Sequence, residues 1–173
     1  MSVTQLPATE RRRILEGFYT AYANRDVDGM MQWVTDDIVE DISGIGFVRG
    51  AAEERAFLSG LFSSFPDLDT RLVQIVIDDH GASVEWSRRG TFEGTPFQGL
   101  RANGRAFQLR GGAFFEFSDG RIRRITGYYD TAAFARDIGL LPKDNSLSEG
   151  TLKRLFNLRT IFRRSLKRLR RAG

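Results

Sequence analysis

Proton chemistry in this chain falls to carboxylates, tyrosines, arginines and backbone dipoles, because its 173 residues include no cysteine and one histidine. A Ser-His-Asp triad, a disulfide framework and a Cys- or His-based metal site are excluded on that ground, and no metal or cofactor is expected. His80 itself stands in Asp78-Asp79-His80-Gly81, which reads as an exposed turn. The carboxylate that draws attention is Asp41, in the run Ile38-Val39-Glu40-Asp41-Ile42. On a strand Glu40 and Asp41 point to opposite faces, so at most one of them enters a pocket. An Asp in an apolar pocket has its pKa pushed up toward neutrality, which suits a general base. The other reading of Asp41 is a tie for the glycine loop that follows it.

Three further side chains could assist. Tyr19 and Tyr22 lie close together on one helical stretch and either donate to a carbonyl oxygen or serve as core residues with a hydroxyl at the rim. Arg88 shares a strand face with Trp86 and Phe92. If that face is concave, its guanidinium enters the pocket and binds a carboxylate or enolate; if convex, Arg88 is a surface residue, and parity alone does not choose.

The elements that must position these groups are legible from periodicity. A helix is expected from a cap at Thr9 to about Asn24, with Ile14, Leu15, Phe18, Tyr19 and Tyr22 at helical spacing. A short helix from about Val27 to Val34 is expected to bury Met30, Met31, Trp33 and Val34, and the strand Ile38–Ile42 follows. Residues 43–50 read as a glycine-punctuated loop; it lacks the strand-to-helix context of a dinucleotide fingerprint. Residues 51–64 form a helix with Phe57, Leu58, Leu61 and Phe62 inward. Strands then span Leu68 to Ile77 and Ala82 to Phe92. The stretch Arg105 to Asp130 reads as a long hairpin turning at Ser118-Asp119-Gly120, with Phe107, Leu109, Gly111, Ala113, Phe115 and Phe117 on one parity. A hairpin this apolar must be covered by the helices, which encloses a cavity. Phe18, Trp33, Trp86 and Phe107 are expected to line it, with Ala113, Phe115, Gly127 and Tyr129. Asp130 caps a closing helix from Thr131 to Ile138.

Charge divides the chain in two. Residues 151–173 hold nine Lys or Arg and no acid, whereas the other 150 residues hold 17 basic and 22 acidic side chains, so the body is acidic and the net +4 belongs to the tail. We expect a domain over 1–142, a polar linker over 143–150 and a basic amphipathic helix over 151–173, with Leu152, Leu155, Leu158, Phe162, Leu166 and Leu169 on one sector. The tail suits an anionic membrane surface; a partner-binding helix and a flexible charged extension are the other readings. Nucleic acid is disfavoured, since stacking aromatics are few. The first residues lack an apolar signal segment and no run is long enough to span a bilayer, so a cytoplasmic protein, peripheral to the membrane through its tail, is expected.

Several short runs carry a family resemblance: Asp26-Val27-Asp28-Gly29, Asp36-Asp37-Ile38-Val39-Glu40-Asp41, Phe65-Pro66-Asp67, Arg89-Gly90-Thr91, Ala102-Asn103-Gly104-Arg105, the Phe-x-Phe-x-Asp-Gly-Arg-Ile run at 115–122, and Asp130 with Gly139-Leu140. Together with the element order they resemble the nuclear transport factor 2-like superfamily, nearest to the SnoaL-like polyketide cyclases, with ketosteroid isomerase a more distant relative. The resemblance spans about residues 9 to 141 and implies an α+β, cystatin-like cone, in which a strongly curved mixed or antiparallel sheet wraps the N-terminal helices. It also implies homodimers through the outer face of the sheet, a hydrophobic small-molecule ligand, and cyclase- or isomerase-type chemistry with a carboxylate base on a hydrophobic carbonyl compound. Asp41 matches the isomerase base. The isomerase Tyr falls on Phe18, its neutral Asp near Ala113, and the cyclase base on Gly127, so those donors are missing. A non-catalytic binding protein for an apolar ligand, held at the membrane by the tail, is the alternative function.

Overall fold

The computed structural model describes residues 6–79 and 81–169, without the side chains of Leu152 and 160–169; the expected turn position of His80 and the end of the tail fall outside the described residues. In chain order the elements are α1 (Ala8–Ala23), α2 (Val27–Met31), β1 (Val34–Ile42), β2 (Gly46–Arg49), α3 (Gly50–Ser64), β3 (Asp69–Ile77), β4 (Ala82–Phe92), β5 (Arg105–Ser118), β6 (Arg121–Tyr129), α4 (Thr131–Asp137) and α5 (Leu147–Leu169).

The spacing of Ile14, Leu15, Phe18, Tyr19 and Tyr22 gives α1 one continuous buried stripe. The helix does not start at Thr9. Pro7 is its N-cap, and the Pro7 carbonyl accepts from the N–H groups of Glu10 and Arg11, each at 3.0 Å. Proline suits this end because it removes a donor where none is needed. The arginines in the first turn are offset by Glu10, which takes two bonds from Arg13 at 2.9 and 2.5 Å, while Arg11 is buried and donates to the Asp78 and Gly81 carbonyls, tying α1 to the β3–β4 turn.

The six strands form one sheet in the order β2-β1-β6-β5-β4-β3, antiparallel except for the parallel pair β1–β6. Register shifts between Val34 and Val39, Leu72 and Gln74, and Glu116 and Phe117 kink the strands. The sheet curves round α1 and α3, which pack on β3 and β1, while α4 closes on β5. The alternation expected along the hairpin holds: Phe107, Leu109, Ala113 and Phe115 are buried, whereas Phe114 and Tyr128 on the other face are exposed and meet edge to face at 6.3 Å. Asp119 and Gly120 take positive φ at the hairpin turn.

Three element boundaries differ from the sequence reading. The short helix stops at Met31, and β1 begins at Val34, four residues early, because the Ile122 N–H captures the Trp33 carbonyl at 2.8 Å and draws that stretch into the sheet. Residues 46–49 are not loop but the edge strand β2, paired with Val39 to Ile42. Helix α5 begins at Leu147, inside the expected linker; Leu155 and Leu158 are exposed, and the side chains of Leu152, Phe162, Leu166 and Leu169 lie outside the described residues. Among the described residues no helix is long and apolar enough to cross a membrane.

Candidate functional site

Between the concave face of the sheet and helices α1 and α3 lies a cavity of about 80 Å³ that opens to solvent and is walled mostly by apolar side chains. Phe18, Trp86, Phe107, Ala113, Phe115, Gly127 and Tyr129 all line it, as the sequence led us to expect. Two details shape the wall. A Cβ on Gly111 would fall 2.3 Å from the Trp86 indole, so the missing side chain is what lets Trp86 lie flat on β5. At Gly127 a Cβ would meet nothing nearer than the Asp41 carbonyl at 4.0 Å, which leaves the wall recessed there.

Arg88 is on the concave face, opposite Leu109 and Thr70. Its guanidinium is held between the rings of Trp86 at 4.1 Å and Tyr22 at 4.5 Å, and its Nε is buried without a hydrogen-bond partner. Stacking of this kind fixes a planar cation without saturating its donors.

The pocket carboxylate is not Asp41. Along β1, Ile38 and Ile42 are buried, and Glu40 shares their parity; it pairs with Ile125 on β6 and Val48 on β2 and lines the cavity. Asp41 is paired with Thr126 and with exposed Phe47, on the convex face, and is not part of the cavity wall. Trp33 is likewise outside the cavity: its indole packs on the flank of α1 in the notch over Gly17, under the Arg13 guanidinium at 5.2 Å.

Sequence reasoning missed Glu54. It sits on the same face of α3 as Leu58 and Leu61, one and two turns on, and is 1 % exposed. That spacing was the available signal. Its carboxyl faces that of Glu40, and neither Glu54 oxygen has a donor, since the group opposite is another acceptor. One proton shared between the two turns this contact into a hydrogen bond. Burial pushes the Glu54 carboxyl far up, and the charge of Glu40 adds to the rise. Burial also raises Glu40, opposed by the Arg88 cation and by hydrogen bonding to Glu54. The two therefore titrate as a pair that holds one proton at neutral pH, with Glu54 as its principal carrier.

Tyr19 and Tyr22 are both buried in the wall and edge-packed on Phe115 and Phe62. Burial pushes Tyr22 up to about 12 and Tyr19 higher still, with Arg88 opposing, so both keep their phenolic protons. Tyr129, at the other side of the wall, is raised by burial as well. The site thus combines one fixed cation, one ionised and one neutral carboxyl, and phenols, in an apolar box. Among the described residues no three His, Cys, Asp or Glu side chains converge as a metal site.

Comparison with known proteins gives a consistent picture. The model of the SnoaL-like domain matches residues 15–125. A proposed SnoaL-like polyketide cyclase from Jannaschia sp. CCS1 superposes with a TM-score of 0.69 at 18% identity, over 78% of this chain and 94% of that one. A proposed polyketide cyclase from Xanthomonas campestris pv. campestris gives 0.65 at 28% identity, over 76% and 98%. An LEH-like epoxide hydrolase from M. tuberculosis gives 0.60 at 22% identity, over 75% and 90%. A search of curated proteins returned no match.

Proposed function

The chain belongs to the SnoaL-like domain family, and from that premise we propose that it is a cofactor-independent acid–base catalyst of cyclase or isomerase type, acting on a hydrophobic carbonyl compound with Glu40 as general base. The observation that carries this reading is the meeting of Glu40, Glu54 and Arg88 on one apolar cavity. The Glu40 carboxylate removes a proton from the carbon beside the carbonyl. The electron pair moves onto the carbonyl oxygen, and the enolate is stabilised by the Arg88 guanidinium, whose Nε–H is unspent. The enolate carbon then either takes the proton back from Glu40 at another position, which moves a double bond, or attacks a second carbonyl, which closes a ring. Tyr19 and Tyr22 remain protonated and shape the wall, as the burial that raises them dictates. The base assigned to Asp41 on resemblance passes to its neighbour, because a base must reach the proton it takes.

The test is deuterium incorporation at the activated carbon of aromatic β-dicarbonyl compounds, read by mass spectrometry. The natural chain and Asp41→Asn should exchange, and Glu40→Gln should not; unchanged exchange in Glu40→Gln refutes the assignment.

A second reading, a non-catalytic carrier of an apolar ligand held at an anionic membrane, is supported by the tail, with nine basic residues and no acid over 151–173 and with Leu155 and Leu158 exposed on α5. Liposomes containing phosphatidylserine should sediment the full chain and leave behind a chain ending at residue 150. Equal pelleting of the two removes the membrane from the account.

A further inference from the structure

The most unusual feature of the cavity is what its polar atoms lack. The Arg88 Nε is buried without a partner, and the Glu54 carboxyl, 1 % exposed, meets only the carboxyl of Glu40, the two sharing one proton. Unpaired polar atoms in an apolar wall carry a desolvation penalty that a ligand can relieve. Among the described residues the charged or titratable groups on the cavity wall are Glu40 on β1, Glu54 on α3, Arg88 on β4, Tyr19 and Tyr22 on α1, and Tyr129 on β6. With the tyrosines neutral and one proton on the carboxyl pair, the box is neutral overall. An incoming anion would leave it with an uncompensated negative charge, which a low-dielectric site resists.

We infer that the pocket binds an apolar carboxylic acid, and that it takes up one proton together with the anion. One oxygen of the ligand accepts from the Arg88 Nε–H. Another accepts from the proton that Glu40 acquires, and Glu54 keeps its own proton and donates it to Glu40, forming a chain from Glu54 through Glu40 to the ligand. The bound state is then neutral, and the Arg88 Nε–H is spent. No bond is made or broken beyond this proton transfer from solvent. The inference deepens the functional reading by naming the chemistry of the ligand, and it rests on that reading only for the placement of the three side chains.

The experiment is titration calorimetry of the full chain with 2-naphthoate and, as the neutral counterpart, 2-naphthalenemethanol, in phosphate and in Tris, whose ionisation heats differ. Naphthoate should bind more tightly than the alcohol near neutral pH, and on the alkaline side, where Glu40 is ionised, it should take up about one proton and weaken about tenfold per pH unit. The alcohol should show no such slope. Glu40→Gln leaves the pocket with a net positive charge, so it should bind naphthoate more tightly than the natural chain at alkaline pH, by about tenfold or more, and without proton uptake. Arg88→Gln should weaken naphthoate and spare the alcohol. Naphthoate that binds no better than the alcohol, or binds without proton uptake, overturns the inference, as does a slope retained in Glu40→Gln. Should Glu40→Gln fail to fold, the difference between the two buffers on the natural chain decides alone. The catalytic reading requires Glu40→Gln to lose exchange, whereas this one requires it to gain anion affinity, so either can fail without the other.

Discussion

The two faces of the sheet hold residues that are neighbours in the chain and strangers in environment. Glu40 looks into the cavity and Asp41 out from the convex face; Phe115 is 2 % exposed and Phe114 60 %; Tyr129 lines the pocket and Tyr128 stands outside. Each pair is chemically matched, so the contrast isolates position from residue type. Inside, the Glu40 carboxyl lies in an apolar wall and is shifted toward neutrality, while the Phe115 ring contributes its full transfer energy. Outside, the Phe114 and Tyr128 rings are exposed and contribute little.

The comparison breaks first at its carboxylates. Glu40→Gln should cut deuterium exchange by about 10²- to 10⁴-fold, the usual worth of a general base, while Asp41→Asn leaves the rate close to that of the natural chain. A reversed order of the two would mean that β1 is read one residue out of register. The aromatic pair comes next. Phe115→Ala should lower unfolding stability by about 3–5 kcal/mol and Phe114→Ala by no more than about 0.5 kcal/mol, measured by denaturant titration. Similar losses at both positions would show that the convex face is buried in solution.

The third contrast is the dependence of stability on pH. Glu40 and Glu54 have folded-state pKa values raised above the ordinary carboxylate value of 4.5, toward about 7 and about 9. Over that range the folded chain binds more protons than the unfolded one, so these groups favour folding fully below about 4.5, and the contribution is lost as the pH climbs. The free energy of unfolding should therefore fall as the pH rises from about 5 to about 9. Glu54→Gln should flatten the slope, because an amide occupies the same place without titrating. A profile that is the same in both proteins would place water, not a carboxyl pair, in the cavity.

The architecture was legible because it is written in long periods. The spacing of Ile14, Leu15, Phe18 and Tyr22 and the alternation from Phe107 to Phe115 each span enough residues to define a face, and Asp130, expected to cap α4, accepts from the Ala133 N–H at 2.8 Å. The site was legible in its walls and not in its acid. Alternation places Glu40 and Asp41 on opposite faces, but which of them is the inner one is fixed by the burial of Ile38 and Ile42, a tertiary fact, whereas the family resemblance points to Asp41. Glu54 was hidden because an acidic residue in the second turn of a helix ordinarily faces water. Only the curvature that brings β1 under α3 gives it a second carboxyl to face. Arg88 was undecidable from parity alone, and the bulge between Leu72 and Gln74 and the notch at Gly111 are tertiary facts. Trp33 went astray for a local reason: β6 claims its carbonyl and ends the short helix early.

The recess at Gly127 gives the scaffold a vacancy that inheritance or design can exploit. Its backbone needs no left-handed conformation and its surroundings are empty out to 4.0 Å, so a single codon change there would shorten the chamber or add a new functional group on the strand beside Glu40 while the strands stay as they are. Divergence of ligand preference among descendants of this chain therefore has an inexpensive first step.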